Sequence, residues 1–169
     1  MKLGIRNNLV TQCNANVTAV PVVKWLTAFT PGSPRNDFTG EVGGSFIPAN
    51  AITITSIGVY IPSGGSATHT LSLWDGLTTL LVKSATINFT GKSGFNFVNI
   101  TPAVLVSGRE YRLSLSIVNT GDVWCDNNLS LTTTAVASVG NSTYSTAIGV
   151  YPITPAGAQQ FVGLDFTWV

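Results

Sequence analysis

The sequence predicts an all-β fold, an antiparallel β-sandwich or jelly roll with an N-terminal arm. Three observations predict it. Charged residues make up 9% of the 169 residues, against about 25% in ordinary globular domains, and Thr, Ser, Asn and Gly are abundant instead, as on neutral, hydroxyl-bearing sheet faces. Short β-branched and aromatic runs are separated by Gly, Pro, Asn and Asp, which gives about eight to ten strands. No stretch combines a helical period with helix caps. The length and the 44% hydrophobic content are enough for one domain with a real core.

The elements follow in order. Residues 1–34 read as an arm and first strands, and residues 35–169 as the sandwich domain. Val17–Val23 is β-branched, with Pro21 marking an edge or a bulge. Lys24–Thr30 is a second run, and Pro31-Gly32-Ser33-Pro34 breaks the chain. Val42–Ile47 is a Gly-rich strand. Ile52–Ile61 alternates, but its phase slips: Ile52 and Ile54 share one parity, Ile57, Val59 and Ile61 the other. A bulge at Thr55-Ser56 would return all five to the core.

Thr68–Trp74 alternates with Leu71 and Leu73 on one face, and Asp75-Gly76 is a turn signal. Leu80–Asn88 follows, and Phe95, Phe97 and Ile100 mark another strand. Val104–Val106 reads as a short strand before a Ser107-Gly108 turn. In the next strand Tyr111, Leu113, Leu115 and Ile117 face inward, while Arg112, Ser114 and Ser116 point away. Leu129–Val136 and Phe161–Val169 are the last strands, and residues 140–157 between them read as loop-rich.

The net charge is +1 and the eight basic residues form no cluster, so nucleic acid and anionic lipid are not expected partners. No apolar run approaches the ~20 residues of a membrane span. The N-terminus shows no apolar leader segment, so Cys13 and Cys125 are expected as two free thiols rather than a disulfide. These cysteines and His69, the sole histidine, are too few for a metal centre, and no cofactor is expected. The seven acids show no paired spacing, and no enzyme is expected.

Four residues are the candidates for ligand binding, with a glycan as the ligand: Trp74, Trp124, Asp122 and Asn127. Exposed indoles stack on sugar rings, and Asp or Asn side chains read hydroxyls. Asp122, Asp126, Asn127 and Asn128 make an oxygen-rich stretch around Trp124, but the spacing fails the EF-hand pattern, so turn chemistry is the simpler reading. His69 shares parity with Leu71 and Leu73 and is expected to pack, hydrogen-bonded, in the interior. Arg35-Asn36-Asp37 reads either as a ligand loop or as a turn in which Arg35 pairs with a carboxylate. Trp25 and Trp168 are expected in the core or at an interface. Five N-x-[ST] sequons, beginning at Asn16, Asn88, Asn99, Asn128 and Asn141, are what this composition produces by chance.

Several ordered words carry a resemblance. They are Arg35-Asn36-Asp37-Phe38-Thr39-Gly40, Val42-Gly43 with Phe46, Ile52-Thr53-Ile54-Thr55-Ser56-Ile57-Gly58, and Thr68-His69-Thr70-Leu71-Ser72-Leu73. Phe97-Val98-Asn99-Ile100, Tyr111 and Gly121-Asp122-Val123-Trp124 follow. The stretch resembles a bacterial β-sandwich module of unassigned function, itself similar to carbohydrate-binding jelly rolls. The resemblance covers about Arg35 to Trp124 and the closing Phe161–Trp168 strand, and it carries fold more than function. A lone sandwich behind an N-terminal segment is similar in organisation to phage virion proteins. It implies a non-enzymatic capsid decoration, cement or tail-associated protein at the particle surface, in a homo-oligomer (a trimer) against neighbouring virion proteins. Glycan binding is compatible with that role. The alternative is a carbohydrate-binding module or adhesin domain of a bacterial surface or secreted system, placed at the cell surface or outside the cell.

Overall fold

The structure, a computed structural model, describes residues 23–118, 123–126, 130–157 and 162–169. Among them it holds fourteen strands and no helix. These are β1 (Val23–Lys24), β2 (Leu26–Thr30), β3 (Pro34–Arg35), β4 (Gly40–Pro48), β5 (Ile52–Ile61), β6 (Thr68–Asp75) and β7 (Leu81–Asn88). They continue with β8 (Gly94–Leu105), β9 (Tyr111–Ile117), β10 (Trp124–Cys125), β11 (Ser130–Thr133), β12 (Ala137–Ser145), β13 (Thr154–Pro155) and β14 (Leu164–Trp168). Two antiparallel sheets form the sandwich, one in the order β1-β14-β5-β8 and one in the order β13-β12-β4-β9-β6-β7. Two short ribbons, β3–β10 and β2–β11, complete it.

The inward parities of the two sheets meet in one core. Ile54, Ile57, Val59 and Phe166 come from one sheet, Phe46, Leu71, Leu73, Leu113 and Leu115 from the other, and all are buried. Phe46 and Phe166 meet across the sheets with ring centroids 4.9 Å apart. Trp25 stacks on Phe166 at 5.1 Å and its Nε1 donates to the carbonyl of Ala137 at 2.9 Å. A buried indole needs that bond, because an unpaired N–H in the core costs about 1–3 kcal/mol.

The expected bulge is present. The β5–β8 register shifts between Ile54 and Ser56, and Ile52, Ile54, Ile57, Val59 and Ile61 are all buried. One expectation is corrected. Val104 and Leu105 are not a separate strand but the end of β8, which continues across the bulge to pair with Thr53 and Ile52. Residues 140–157 are loop-rich, as expected, with 146–153 outside any strand, but β12 runs into them as far as Ser145, pairs with β4, and receives β13 on its other side. Only Ala137 and Thr143 of its nine residues are buried, so no alternation announces it, and backbone bonds to the Gly-rich β4 hold it.

The segment 146–153 that follows β12 has a role of its own. It folds over the outer face of the six-stranded sheet. Glu41, on the outward parity of β4, is fully buried there; its Oε1 accepts the N–H of Gly149 at 2.9 Å and its Oε2 accepts the hydroxyl of Ser114 at 2.7 Å. Ser114 Oγ in turn accepts Trp74 Nε1–H at 2.8 Å. Tyr151 packs edge-on against Trp74 and beneath the Arg112 guanidinium, which also donates to the carbonyl of Pro152. The segment is thus a strap over an outer polar layer, and burial raises the Glu41 carboxyl above its ordinary value.

Strands β1 and β2, within the expected N-terminal unit, are integral to the fold: β1 pairs with β14 and β2 with β11. The arm itself falls on residues outside the described ones, as does Cys13. Cys125 is buried as a free thiol, and burial together with the charge of Asp126 pushes it up to about 12. It is therefore no nucleophile at neutral pH.

Candidate functional site

The β3–β10 ribbon makes Arg35 and Trp124 direct cross-strand partners, so their side chains lie on one side of it. The Arg35 guanidinium sits over the Trp124 ring at 4.7 Å from its centroid. Its Nε and Nη2 donate to the two oxygens of Asp37 at 3.0 and 3.1 Å, and Nη1 donates to Oδ2 of Asp126 at 2.9 Å. The bidentate bond to Asp37 is the larger influence on both groups. It holds Asp37 below the usual carboxylate range and makes Arg35 still harder to deprotonate. The expectation that Arg35 pairs with a carboxylate is met twice over, once locally and once across 91 residues.

This ribbon forms one wall of a cleft of about 270 Å³. Phe38 meets Trp124 and Tyr144 edge-on, at 6.4 and 5.9 Å. Val42, Thr143 and Ala156 complete the lining with Asp126. Two polar atoms at this cleft have no hydrogen-bond partner: Nε1 of Trp124 and Oγ1 of Thr143. Trp124 and Thr143 are 4% and 3% exposed. Native proteins leave few such groups unpaired, and two at one cleft mark it out.

The four candidate residues are placed as follows. Trp124 lines the cleft, but Arg35 covers its ring, so that face is no open stacking platform. Trp74 is elsewhere: it is buried under the strap, 5% exposed, with its N–H spent on Ser114. Trp74 is on the parity of β6 opposite Leu71 and Leu73, where the strap has taken the place of solvent. Asp122 and Asn127 lie outside the described residues. Phe38, Thr143, Tyr144 and Ala156 were not singled out from sequence; residues 143–156 carry no ligand-like pattern and sit more than a hundred positions from Arg35.

The other reactive types are accounted for. His69 is buried, donates Nδ1–H to the carbonyl of Ser116 at 2.7 Å and lies 4.0 Å from the Phe89 ring, as a packed histidine does. Asp165 is buried beneath β2, its Oδ1 accepting the N–H groups of Leu26 and Phe166. Neither Asp165 nor Glu41, the carboxyls that burial raises, lines the cleft. Among the described residues no group of three or more His, Cys, Asp or Glu is placed to hold a metal ion. No helix there is long and apolar enough to cross a membrane.

No curated protein matches the sequence. One family model does, over residues 29–161, and so takes in β3, β10 and every described residue of the cleft. By that match the chain belongs to the family defined by a domain of unknown function, DUF4082.

Proposed function

We propose that this protein is a non-catalytic binding module that takes a neutral glycan in the Arg35–Trp124 cleft, at a cell or particle surface. One observation carries the reading: Trp124 Nε1 and Thr143 Oγ1 are buried without partners at a single aromatic-walled cleft. Each unmade bond costs about 1–3 kcal/mol, a cost that a hydroxyl-bearing ligand removes by completing both bonds. Arg35, pinned by two carboxylates, keeps two of its five N–H groups for a ligand.

The test is a glycan array probed with the folded protein, followed by titration of the hits. Binding is expected, and Thr143→Val is expected to weaken it at least fivefold. Valine matches threonine in shape and leaves no buried hydroxyl unpaired, so the fold should be unharmed. A folded protein that binds no glycan would overturn the reading.

A second reading, a structural component of a phage-type particle surface, is favoured by a different observation. Leu77 and Leu80, in the turn between β6 and β7, are 77% and 66% exposed. Val106, in the β8–β9 turn beside it, is exposed too. Apolar residues grouped at one end suit a contact with a second copy of the chain. Light scattering on a size-exclusion column tests it: a closed oligomer, a trimer in the virion setting, that Leu77→Asp and Leu80→Asp dissociate would support it, and a monomer would overturn it.

A further inference from the structure

We propose that the cleft selects N-acetylated sugars, by seating the acetamido group of an N-acetylhexosamine between Trp124, Thr143 and the apolar wall of Phe38 and Val42. The inference rests on the glycan reading and narrows it to one chemical class.

Four features converge. A volume of about 270 Å³ lies below the range of about 300–1,000 Å³ typical of drug-sized ligands, so the cleft holds one sugar residue or a chain end. The unpartnered Trp124 N–H can only donate, and the Thr143 hydroxyl donates or accepts; the acetamido carbonyl accepts from either. Phe38, Val42 and Ala156 offer an apolar wall to the methyl group. A sugar hydroxyl in the same place would meet the donors but leave that wall unfilled.

Charge narrows the choice further. The single positive charge of Arg35 faces the two negative charges of Asp37 and Asp126. Among the described lining residues the charges are one cation, Arg35, and one anion, Asp126, and with its guanidinium engaged by carboxylates Arg35 is a poor partner for uronic and sialic acids. The acetamido N–H, by contrast, donates to a carboxylate. Arg35 over the indole also matters. A sugar ring cannot stack on the covered face, so recognition falls to a group that inserts at the edge of the indole. Both orphan atoms are buried and belong to residues that line the cleft.

The experiment is titration of the folded full chain, followed by backbone amide NMR, with methyl glycosides of N-acetylglucosamine, N-acetylgalactosamine, glucose, galactose, glucosamine and glucuronic acid. An N-acetylated glycoside is expected to bind at least tenfold more tightly than its parent hexose. Thr143→Val and Trp124→Phe should each shrink that margin to less than threefold, with the amide spectrum otherwise preserved. Equal affinity for parent and N-acetylated sugar, or tighter binding of glucuronic acid, would overturn the acetamido inference while leaving the glycan reading standing. No response to any of the six, together with an array that shows no binding, would overturn both.

Discussion

Asp165 accepts the backbone N–H of Leu26 at 3.0 Å, tying together positions 139 residues apart. The same oxygen accepts the N–H of Phe166 at 2.8 Å, whereas Oδ2 is buried with no partner. Burial outweighs these bonds and the nearby charge of Lys24, raising the carboxyl from 3.8 to about 6. The native state therefore keeps a proton that the unfolded chain has already lost between those values. The contribution of this group to stability is full below about pH 4 and is lost as pH rises through about 6. Two pK units correspond to about 3 kcal/mol. The urea midpoint should rise between pH 7 and pH 4.5, and Asp165→Asn, neutral throughout, should lose that rise. An equal rise in the variant would show that another group is responsible.

Arg35→Ala should destabilise the fold by about 1–3 kcal/mol, because it removes the bond from Nη1 to the buried carboxylate of Asp126. Arg35→Lys should recover only part of this, since an ammonium cannot bridge both oxygens of Asp37 and reach Asp126 together. Denaturant melts of the three proteins decide it; full recovery in the lysine variant would show that charge alone matters.

Glu41→Ala removes the acceptor that holds Gly149 and Ser114. Hydrogen exchange across residues 146–153 should accelerate at least tenfold, with little change in β5 or β8, on the opposite sheet. Glu41→Gln keeps an acceptor for Gly149 and should stay close to the parent. Unchanged exchange in the alanine variant would mean that Arg112 and Tyr151 alone secure the strap.

Gly163 has φ of +64°, and a Cβ there would lie 2.7 Å from Cζ of Phe29 and 2.9 Å from Cβ of Tyr60. Left-handed backbone and overpacking act in the same direction. Gly163→Ala should cost about 2 kcal/mol, or about 4–8 °C in Tm for a domain of this size. An unshifted melting curve would refute the close approach.

The strands that sequence patterning reveals are those with one face in the core. Tyr111–Ile117 shows its inward residues directly, and even the phase slip in Ile52–Ile61 is interpretable because a pleated strand with two parities needs a bulge. β12 escapes for the opposite reason: only Ala137 and Thr143 of its nine residues are buried, and β4 supplies backbone partners, so no alternation is imposed on it. The site divides in the same way. Arg35, Asp37 and Trp124 stand out as charged or aromatic residues in short words, whereas Thr143 and Tyr144 gain their role only when β12 places them beside Phe38. A threonine among many carries no mark of an unmade bond.

The position of β14 has a consequence for the order of events in the cell. It lies between β1 and β5, and its Phe166 fills the space against Trp25 and Phe46. A growing polypeptide can pair β6 with β7, β4 with β9 or β5 with β8 while still attached to the ribosome, but β1 cannot join the four-stranded sheet until β14 emerges to link it to β5. Chains emerge at about 5–20 residues per second, so for several seconds the aromatic core residues wait unfilled, in reach of chaperones and of neighbouring nascent chains. The β1 side of the sandwich can therefore close only after β14 has been made.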